Sequence, residues 1–216
     1  MKRIGLLGAN TISQVVIEIL KAQTAGINFF YFDDDSDKQN QDLYGIKVYG
    51  PAPAIKTAVE KKDIEALVIC LGDKWLAKRK IFFETCQKLG LKTPIVRHPS
   101  VVSFESASIA PGNLLGPGVV IGRGVRLEPN SVFWAGAVIE HDCMISHSCY
   151  IGPNATLSGF VRVGDCSMIG SAAVVLPERS IGSHCVIGAG AVVTRDVPDH
   201  STVAGVPARP IHVNQR

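Results

Sequence analysis

An apolar residue recurs at every sixth position across residues 109–193. An α-helix has a period of 3.6 residues and a half-buried strand a period of two, so neither produces this pattern. A period of six predicts a triangular solenoid, in which three hexads complete one coil and residues eighteen apart stack. The frame runs through fifteen apolar positions without a slip: Ile109, Leu115, Ile121, Leu127, Phe133, Ile139, Ile145, Ile151, Leu157, Val163, Ile169, Val175, Ile181, Ile187 and Val193.

The other positions of each hexad fit the same solenoid. Glycine often follows the apolar residue, and the fourth residue after it is usually small, as at Cys143, Cys149 and Cys185. We therefore interpret these cysteines as small core residues. The six cysteines of the chain include no Cys-x-x-Cys pair, so neither a zinc ribbon nor a thioredoxin-type site is indicated.

The first hundred residues follow a different pattern, in which strand and helix signals alternate. Such units favour a small parallel Rossmann-like sheet with helices on its faces. We expect an α/β domain over residues 1–98 and an all-β parallel β-helix over residues 99–216, with an irregular tail at 198–213. The predicted strands are Ile4–Leu7, Ile27–Phe32, Ala66–Leu71 and Thr93–Val96, and the predicted helices are Ile12–Leu20, Ala52–Glu60 and Trp75–Leu89.

Composition narrows the range of partners. The net charge is +3, and no dense block of Lys and Arg suggests a nucleic-acid face. No apolar run approaches the roughly 20 residues that cross a bilayer, so we expect no membrane insertion. No signal peptide is expected either, because polar residues interrupt the first apolar run too early. A cytoplasmic protein with reduced thiols is the expectation.

His141 and Asp142 interrupt the outward positions of the repeat. A neutral imidazole accepts a proton near pH 7, and an adjacent carboxylate orients it, so the pair suits general-base catalysis. Gly159 lies eighteen residues further on, directly above His141. A glycine there leaves room for a thioester and exposes a backbone N–H to an oxyanion. An ordinary surface histidine and a turn glycine remain the alternative interpretations.

A second candidate site lies at the carboxyl ends of the predicted strands, where open α/β sheets bind ligands. Gly8, Ala9 and Asn10 follow the first strand and offer backbone N–H groups to a phosphate. Asp33 and Asp34 follow the second strand and suit hydrogen bonds from a ribose or a base, or equally the capping of a turn. The loop lacks Gly-x-Gly-x-x-Gly, which disfavours a dinucleotide.

Over nearly its whole length the sequence resembles the NeuD/PglD-like family of hexapeptide-repeat sugar O- and N-acetyltransferases. The resemblance implies a left-handed β-helix, a homotrimer, and active sites in grooves between neighbouring subunits. It also implies acetyl-CoA lying along the helix and a nucleotide sugar held by the N-terminal domain. The most specific segments are Arg97-His98-Pro99-Ser100, Ile139-Glu140-His141-Asp142-Cys143, Leu157-Ser158-Gly159 and Ala204-Gly205-Val206-Pro207-Ala208.

By this resemblance, His141 deprotonates the acceptor, Asp142 raises its basicity, and Gly159 supplies the oxyanion N–H. Ser171 and Ala189 line the coenzyme groove. Tyr150 takes the place of a second histidine near the acetyl group.

The nucleotide-sugar contacts implied by the resemblance are Gly8, Ala9, Asn10, Asp33 and Asp34. Thr11-Ile12 replaces the Gly-His that the family commonly has in this loop, so a polar contact to the substrate is missing.

The predicted function is acetyl-CoA-dependent transfer of an acetyl group to an amino or hydroxyl group of a nucleotide-linked sugar, without a covalent acyl-enzyme. Two alternatives remain open. One is a non-catalytic nucleotide-sugar-binding protein, which the loss of Gly-His favours. The other is a γ-type carbonic anhydrase, for which His141 and His147 are candidate zinc ligands but a third histidine is missing from the solenoid.

Overall fold

The structure, a computed structural model, describes residues 1–211 of the chain. Two compact units make up the chain, and the division falls after Val96. The expected boundary was after His98. The end of the predicted tail, from His212 onward, lies outside the described residues.

The first unit contains a five-stranded sheet and three α-helices. The strand order is β3-β4-β2-β1-β5, and every pairing is parallel except the antiparallel one between β3 and β4. Two 3₁₀ turns, Ser36–Lys38 and Asp73–Trp75, precede β3 and α3. The strands are Arg3–Leu7 (β1), Asn28–Phe32 (β2), Asp42–Leu43 (β3), Ile46–Gly50 (β4) and Ala66–Ile69 (β5), and the helices are Thr11–Gln23 (α1), Ala54–Glu60 (α2) and Leu76–Lys88 (α3).

One predicted strand of this unit is wrong, and two real strands, β3 and β4, were missed. Residues 93–96 add no strand to the sheet, because Pro94 has no N–H to donate and only Lys92 forms an isolated bridge with Ala66. The longer of the two missed strands, β4, pairs in parallel with β2 and in antiparallel with β3. Its alternation of buried and exposed positions runs for only five residues, too short to register as a period.

The second unit is the predicted left-handed parallel β-helix. Its strands, all of two residues except Thr202–Ala204, form three flat faces. The first face holds Val102–Ser103, Val120–Ile121, Val138–Ile139, Thr156–Leu157, Val174–Val175 and Val192–Val193. The second face holds Ser108–Ile109, Arg126–Leu127, Met144–Ile145, Arg162–Val163 and Ser180–Ile181. The third face holds Val96–Arg97, Leu114–Leu115, Val132–Phe133, Tyr150–Ile151, Met168–Ile169, Val186–Ile187, Thr202–Ala204 and Arg209–Pro210.

The apolar frame of the sequence forms the core of this helix. Fourteen of its fifteen residues are buried, and Ile109, in the first coil, is partly buried. The small residues four places later are buried as well, and Cys143, Cys149 and Cys185 are free thiols within the core, as predicted. Each hexad therefore contributes one large and one small side chain to the core.

Glycine follows the apolar residue because the next coil passes close by. A Cβ on Gly122 would lie 2.7 Å from the backbone nitrogen of His141, and one on Gly170 would lie 2.6 Å from that of Ala189. Backbone atoms one coil away cannot move aside independently. These glycines thus allow the coils to stack at hydrogen-bonding distance.

The tail predicted to be irregular contains two strands. Thr202–Ala204 pairs in parallel with Val186–Ile187 and in antiparallel with Arg209–Pro210. The tail has lost the six-residue period, so its sequence gives no strand signal. The open edge of the third face offers unpaired N–H and C=O groups, and these decide the pairing.

Candidate active site

The turn from the first face to the second, which we call the first corner, carries His141 and Asp142. Asp142 occupies the left-handed region of backbone conformation, with φ of +57°, as Asp and Asn do more readily than most residues. Its Oδ2 lies 3.1 Å from Nδ1 of His141. An ionised carboxylate only accepts hydrogen bonds, so Nδ1 donates and the lone pair is left on Nε2. The imidazole is thereby set up to accept a proton at Nε2.

Gly159 lies beside this imidazole, one coil further along. A Cβ at Gly159 would lie 2.5 Å from both Cε1 and Nε2 of His141. The imidazole itself is half exposed, with 50% of its side-chain surface accessible. Within residues 1–211, no acceptor receives a hydrogen bond from the Gly159 N–H. An imidazole and a backbone N–H without a partner among the described residues therefore lie next to each other, as the coil spacing predicted.

Three further residues surround the pair and were missed by the sequence analysis. Phe160 meets the ring of His141 edge to face, with centroids 5.1 Å apart. Arg123 places Nη1 3.9 Å from Oδ2 of Asp142. The side chain of Asp142 rests against Gly124, where a Cβ would collide with its carboxylate. Arg123 and Gly124 lie eighteen residues before His141 and Asp142, so the coil spacing could have identified them.

The predicted coenzyme residues lie elsewhere on the helix. Ser171 and Ala189 are exposed and stack one coil apart in the turn from the third face to the first, which we call the third corner. Tyr150 lies on the third face, with its ring 6.4 Å from that of Trp134. Within one chain, Ser171 and Ala189 therefore lie at a different corner of the triangle from His141, and Tyr150 lies on a face.

A cavity of about 660 Å³ lies in the first unit at the carboxyl ends of β1, β2 and β5. Of the predicted nucleotide-sugar residues, Gly8, Asn10, Asp33 and Asp34 line it, but Ala9 does not. Thr11 and Ile12, which replace the Gly-His of the family, also line it. Four of the five predicted rim residues thus line one cavity.

The backbone of the first loop offers less to a phosphate than the sequence suggested. The N–H groups of Gly8, Ala9 and Asn10 donate to Phe32 O, Asp33 Oδ2 and Ser13 Oγ. The Asn10 side chain caps the next two donors of α1. Of residues 8–13, only Thr11 has an N–H without a partner among the described residues. The expected cradle of several N–H groups is therefore reduced to one.

Asp33 and Asp34 both hold the loops around this cavity. Asp33 accepts from the N–H groups of Ala9 and Asp35 and pairs with Lys38 at 3.0 Å. Burial raises the pKa of Asp33, but these hydrogen bonds outweigh it and leave the pKa below the ordinary aspartate value. Asp34 accepts from the Ala52 N–H through Oδ1. Both carboxylates therefore hold backbone N–H groups of the surrounding loops, which agrees with the capping interpretation, and Asp34 also lines the cavity.

Trp75 and Lys78 line the same cavity and were not predicted as site residues. The Lys78 ammonium lies 4.3 Å from the centre of the Trp75 ring, and half of that tryptophan is exposed. Both follow β5, so the rule that ligands bind beyond the carboxyl ends of parallel strands could have pointed to them.

Neither a metal cluster nor a membrane helix is found in the part of the chain that the structure describes. In residues 1–211, no three His, Cys, Asp or Glu side chains converge in a way that could hold a metal ion. No helix in that range is long and apolar enough to cross a bilayer.

Comparison with known proteins shows the class of protein to which the chain is similar. The family model for bacterial transferase hexapeptide (six repeats) matches residues 160–195. The acetyltransferase domain of PglB from Neisseria gonorrhoeae, in complex with acetyl coenzyme A, superposes with a TM-score of 0.86 at 29% identity. That alignment covers 97% of this chain and 99% of the other.

A histidine-to-asparagine variant of perosamine N-acetyltransferase from Caulobacter crescentus, in complex with CoA and GDP-perosamine, superposes with a TM-score of 0.89 at 28% identity. The alignment covers 99% of this chain and 98% of that one. The chain is an acyltransferase that is similar over its whole length to NeuD/PglD-like sugar acetyltransferases and carries hexapeptide repeats. WeeI from Acinetobacter baumannii also superposes, with a TM-score of 0.78 over 98% of this chain and 100% of the other. At 21% identity, this likeness shows that the two proteins share a fold.

Proposed function

We propose that this acyltransferase transfers an acetyl group from acetyl-CoA to an amino group of a nucleotide-linked sugar. The observation that carries the proposal is the free Nε2 of His141 beside the bare backbone of Gly159. Whole-length similarity to a sugar N-acetyltransferase in complex with CoA and GDP-perosamine supports the choice of coenzyme and acceptor class. An amine acceptor is favoured over a hydroxyl because that relative is named as an N-acetyltransferase.

The reaction follows from the first corner. Nε2 of His141 takes a proton from the acceptor amine, whose nitrogen attacks the thioester carbonyl. The tetrahedral oxyanion accepts a hydrogen bond from the Gly159 N–H. The tetrahedral intermediate then collapses. The C–S bond breaks, the amide is left behind, and the proton passes from His141 to the CoA sulfur. Asp142 stabilises the imidazolium formed in between.

A homotrimer built on the first face completes this site. The outward residues of that face are nearly all valine: Val102, Val120, Val138, Thr156, Val174 and Val192. Those of the second face are mainly polar or charged: Ser108, Arg126, Met144, Arg162 and Ser180. An apolar face of this kind needs a partner.

The threefold arrangement also explains the separation of the predicted residues. The first and third corners flank the first face on opposite sides. In a threefold ring around that face, the first corner of one copy meets the third corner of the next. His141 of one subunit would then face Ser171 and Ala189 of its neighbour, with Tyr150 nearby. The coenzyme would lie in the groove between them.

The cavity of the first unit is proposed to hold the nucleotide part of the acceptor. Asp34 offers a free carboxylate oxygen to a ribose or a base, and Thr11 offers its N–H and hydroxyl to a phosphate. The apolar Ile12 points to a substrate, or a binding pose, that lacks the polar contact given by Gly-His elsewhere in the family.

A thiol-release assay tests the proposal. The purified protein is incubated with acetyl-CoA and a panel of UDP-, GDP-, dTDP- and CMP-linked sugars that includes 4-amino sugars. We expect release of CoA with at least one 4-amino sugar nucleotide, and a product heavier by one acetyl group. Binding of a sugar nucleotide without thiol release would support the non-catalytic alternative. Stoichiometric zinc in the purified protein, by elemental analysis, would support the carbonic anhydrase.

A further inference from the structure

Phe160 has an unusual backbone for a large aromatic residue. It occupies the turn position of the first corner with φ of +62°, in the left-handed region that bulky side chains rarely adopt. Asn130 and Asn154 occupy the equivalent turn position at the other two corners, with φ of +68° and +55°. Asparagine adopts this conformation readily, whereas phenylalanine does so at a cost in stability. The ring therefore gives no advantage to the turn itself.

Nor is the Phe160 ring part of the core. Its side chain is 52% exposed, and it belongs to neither of the buried apolar clusters. What it touches is His141, whose ring it meets at 89° with centroids 5.1 Å apart. This is the edge-to-face arrangement that aromatic pairs prefer.

The contact restricts the one motion that the other neighbours of His141 leave open. Asp142 holds Nδ1 by a hydrogen bond, which a ring can keep while it tilts about that bond. Gly159 lies close to Nε2 but has no side chain that could block the tilt of the ring. Phe160 closes the remaining side.

We infer that Phe160 is a positioning residue, an inference that rests on the proposed function. Its ring fixes the tilt of the His141 imidazole so that Nε2 points at the acceptor. Strain at a turn beside a reactive group is then the expected cost of holding that group in place. The inference predicts opposite signs for stability and activity when the ring is removed, which a residue needed only for folding would not show.

The test uses Phe160→Asn, with Phe160→Tyr as the conservative variant and Glu178→Asn as the matched control. Glu178 lies one coil further in the same turn position, with the same φ of +62°, and is exposed. For Phe160→Asn we expect a Tm equal to or above that of the wild type, and kcat for thiol release lower by about tenfold or more. KM for both substrates should stay within twofold. Tyr should restore most of kcat, and Glu178→Asn should leave it unchanged.

A spectroscopic readout keeps this inference separate from the proposed function. In NMR spectra of protein labelled at histidine Cε1, Phe160→Asn should shift the His141 signal through loss of the ring current, and Glu178→Asn should not. That result is expected even if no acceptor in the panel is acetylated. Several results for Phe160→Asn would each overturn the inference. They are an unchanged kcat, an unchanged His141 signal, a loss of kcat/KM that comes from a raised KM, a lower Tm, and loss of the oligomer in light scattering.

Discussion

The imidazole of His141 and the backbone of Gly159 share a space that admits no side chain. A methyl group on Gly159 would lie 2.5 Å from two atoms of the ring. The two residues are one coil apart, so the distance between them is set by the stacking of the helix and not by a flexible loop. This closeness is what makes the corner suitable for a base and an oxyanion donor acting on one thioester.

The first prediction concerns that shared space. Gly159→Ala should displace the ring of His141 and lower kcat roughly 100-fold, because displacements of about 1 Å cost that much in a positioned site. Stability should change little, since the ring is half exposed and can turn outward. Gly170→Ala is the contrast, because its Cβ would meet backbone atoms of the next coil at 2.6 Å. It should lower the free energy of unfolding by about 1–3 kcal/mol. Thermal unfolding and thiol release together distinguish the two.

The second prediction concerns the base. His141→Ala should lower kcat by roughly 10²- to 10⁴-fold while leaving the Kd for CoA within about twofold, because the imidazole acts in proton transfer. His147→Ala, one corner further along the same coil, should keep nearly full activity. Kinetics with calorimetry of CoA binding give both quantities. Near-normal turnover by the His141 variant would refute the assignment.

The third prediction concerns assembly. The chain mass is 23.1 kDa, so a trimer should appear at about 69 kDa by light scattering. Val174→Glu places a charge on the first face, and in a trimer it would bury three unpaired carboxylates near the axis, which is costly. We expect this variant to be monomeric and inactive. Ser180→Glu, on the second face, should remain a trimer. A trimeric and active Val174→Glu protein would place the interface elsewhere.

The fourth prediction concerns pH and Asp33. Its pKa is lower in the folded protein than in the unfolded chain, so its ionised form stabilises the fold at pH values above the ordinary aspartate pKa. That contribution is lost as pH falls through the lowered value. Asp33→Asn should therefore be less stable than the wild type by about 1–2 kcal/mol at pH 7.

The difference between Asp33→Asn and the wild type should shrink as the pH falls below about 4. Asp34→Asn is the control, since its amide oxygen can still accept from Ala52. Urea unfolding at pH 7 and at pH 3.5 measures both variants, and a gap that widens in acid would contradict the sign.

The fifth prediction concerns the thiols of the core. Burial raises the pKa of Cys143 to about 11 and that of Cys149 to about 12. At pH 8 at most about one Cys143 thiol in a thousand is ionised, and only the thiolate reacts readily. Neither residue should react with a disulfide reagent in the native protein, and both should react in guanidinium chloride. Fast labelling of Cys143 in the native state would mean that the core opens there.

Much of the second unit could be predicted from the sequence alone. The side chain of every sixth residue points inward, so the apolar frame fixed the coil length, the stacking partner of each residue and the burial of Cys143 and Cys149. The same arithmetic placed Gly159 beside His141. A strict repeat makes distant contacts a matter of counting, because residues eighteen apart are always neighbours.

Other parts depended on information that the sequence does not carry locally. The strand Ile46–Gly50 and the tail strand Thr202–Ala204 form because each meets an open sheet edge. The strand predicted at Thr93–Val96 fails because Pro94 cannot donate. Ala9 donates to Asp33, and this long-range bond removes an N–H that the loop sequence seemed to offer a phosphate.

The sequence by itself therefore determined the β-helix, its register and the pairing of His141 with Gly159, because a periodic chain repeats one local geometry. Only the tertiary structure decided which polar groups remain free for a ligand. Hydrogen bonds between distant segments occupy the Ala9 N–H, the Asp33 carboxylate and one oxygen of Asp34. A turn conformation that phenylalanine rarely adopts places Phe160 against His141. Those choices depend on the three-dimensional neighbours of each group, which a local pattern does not specify.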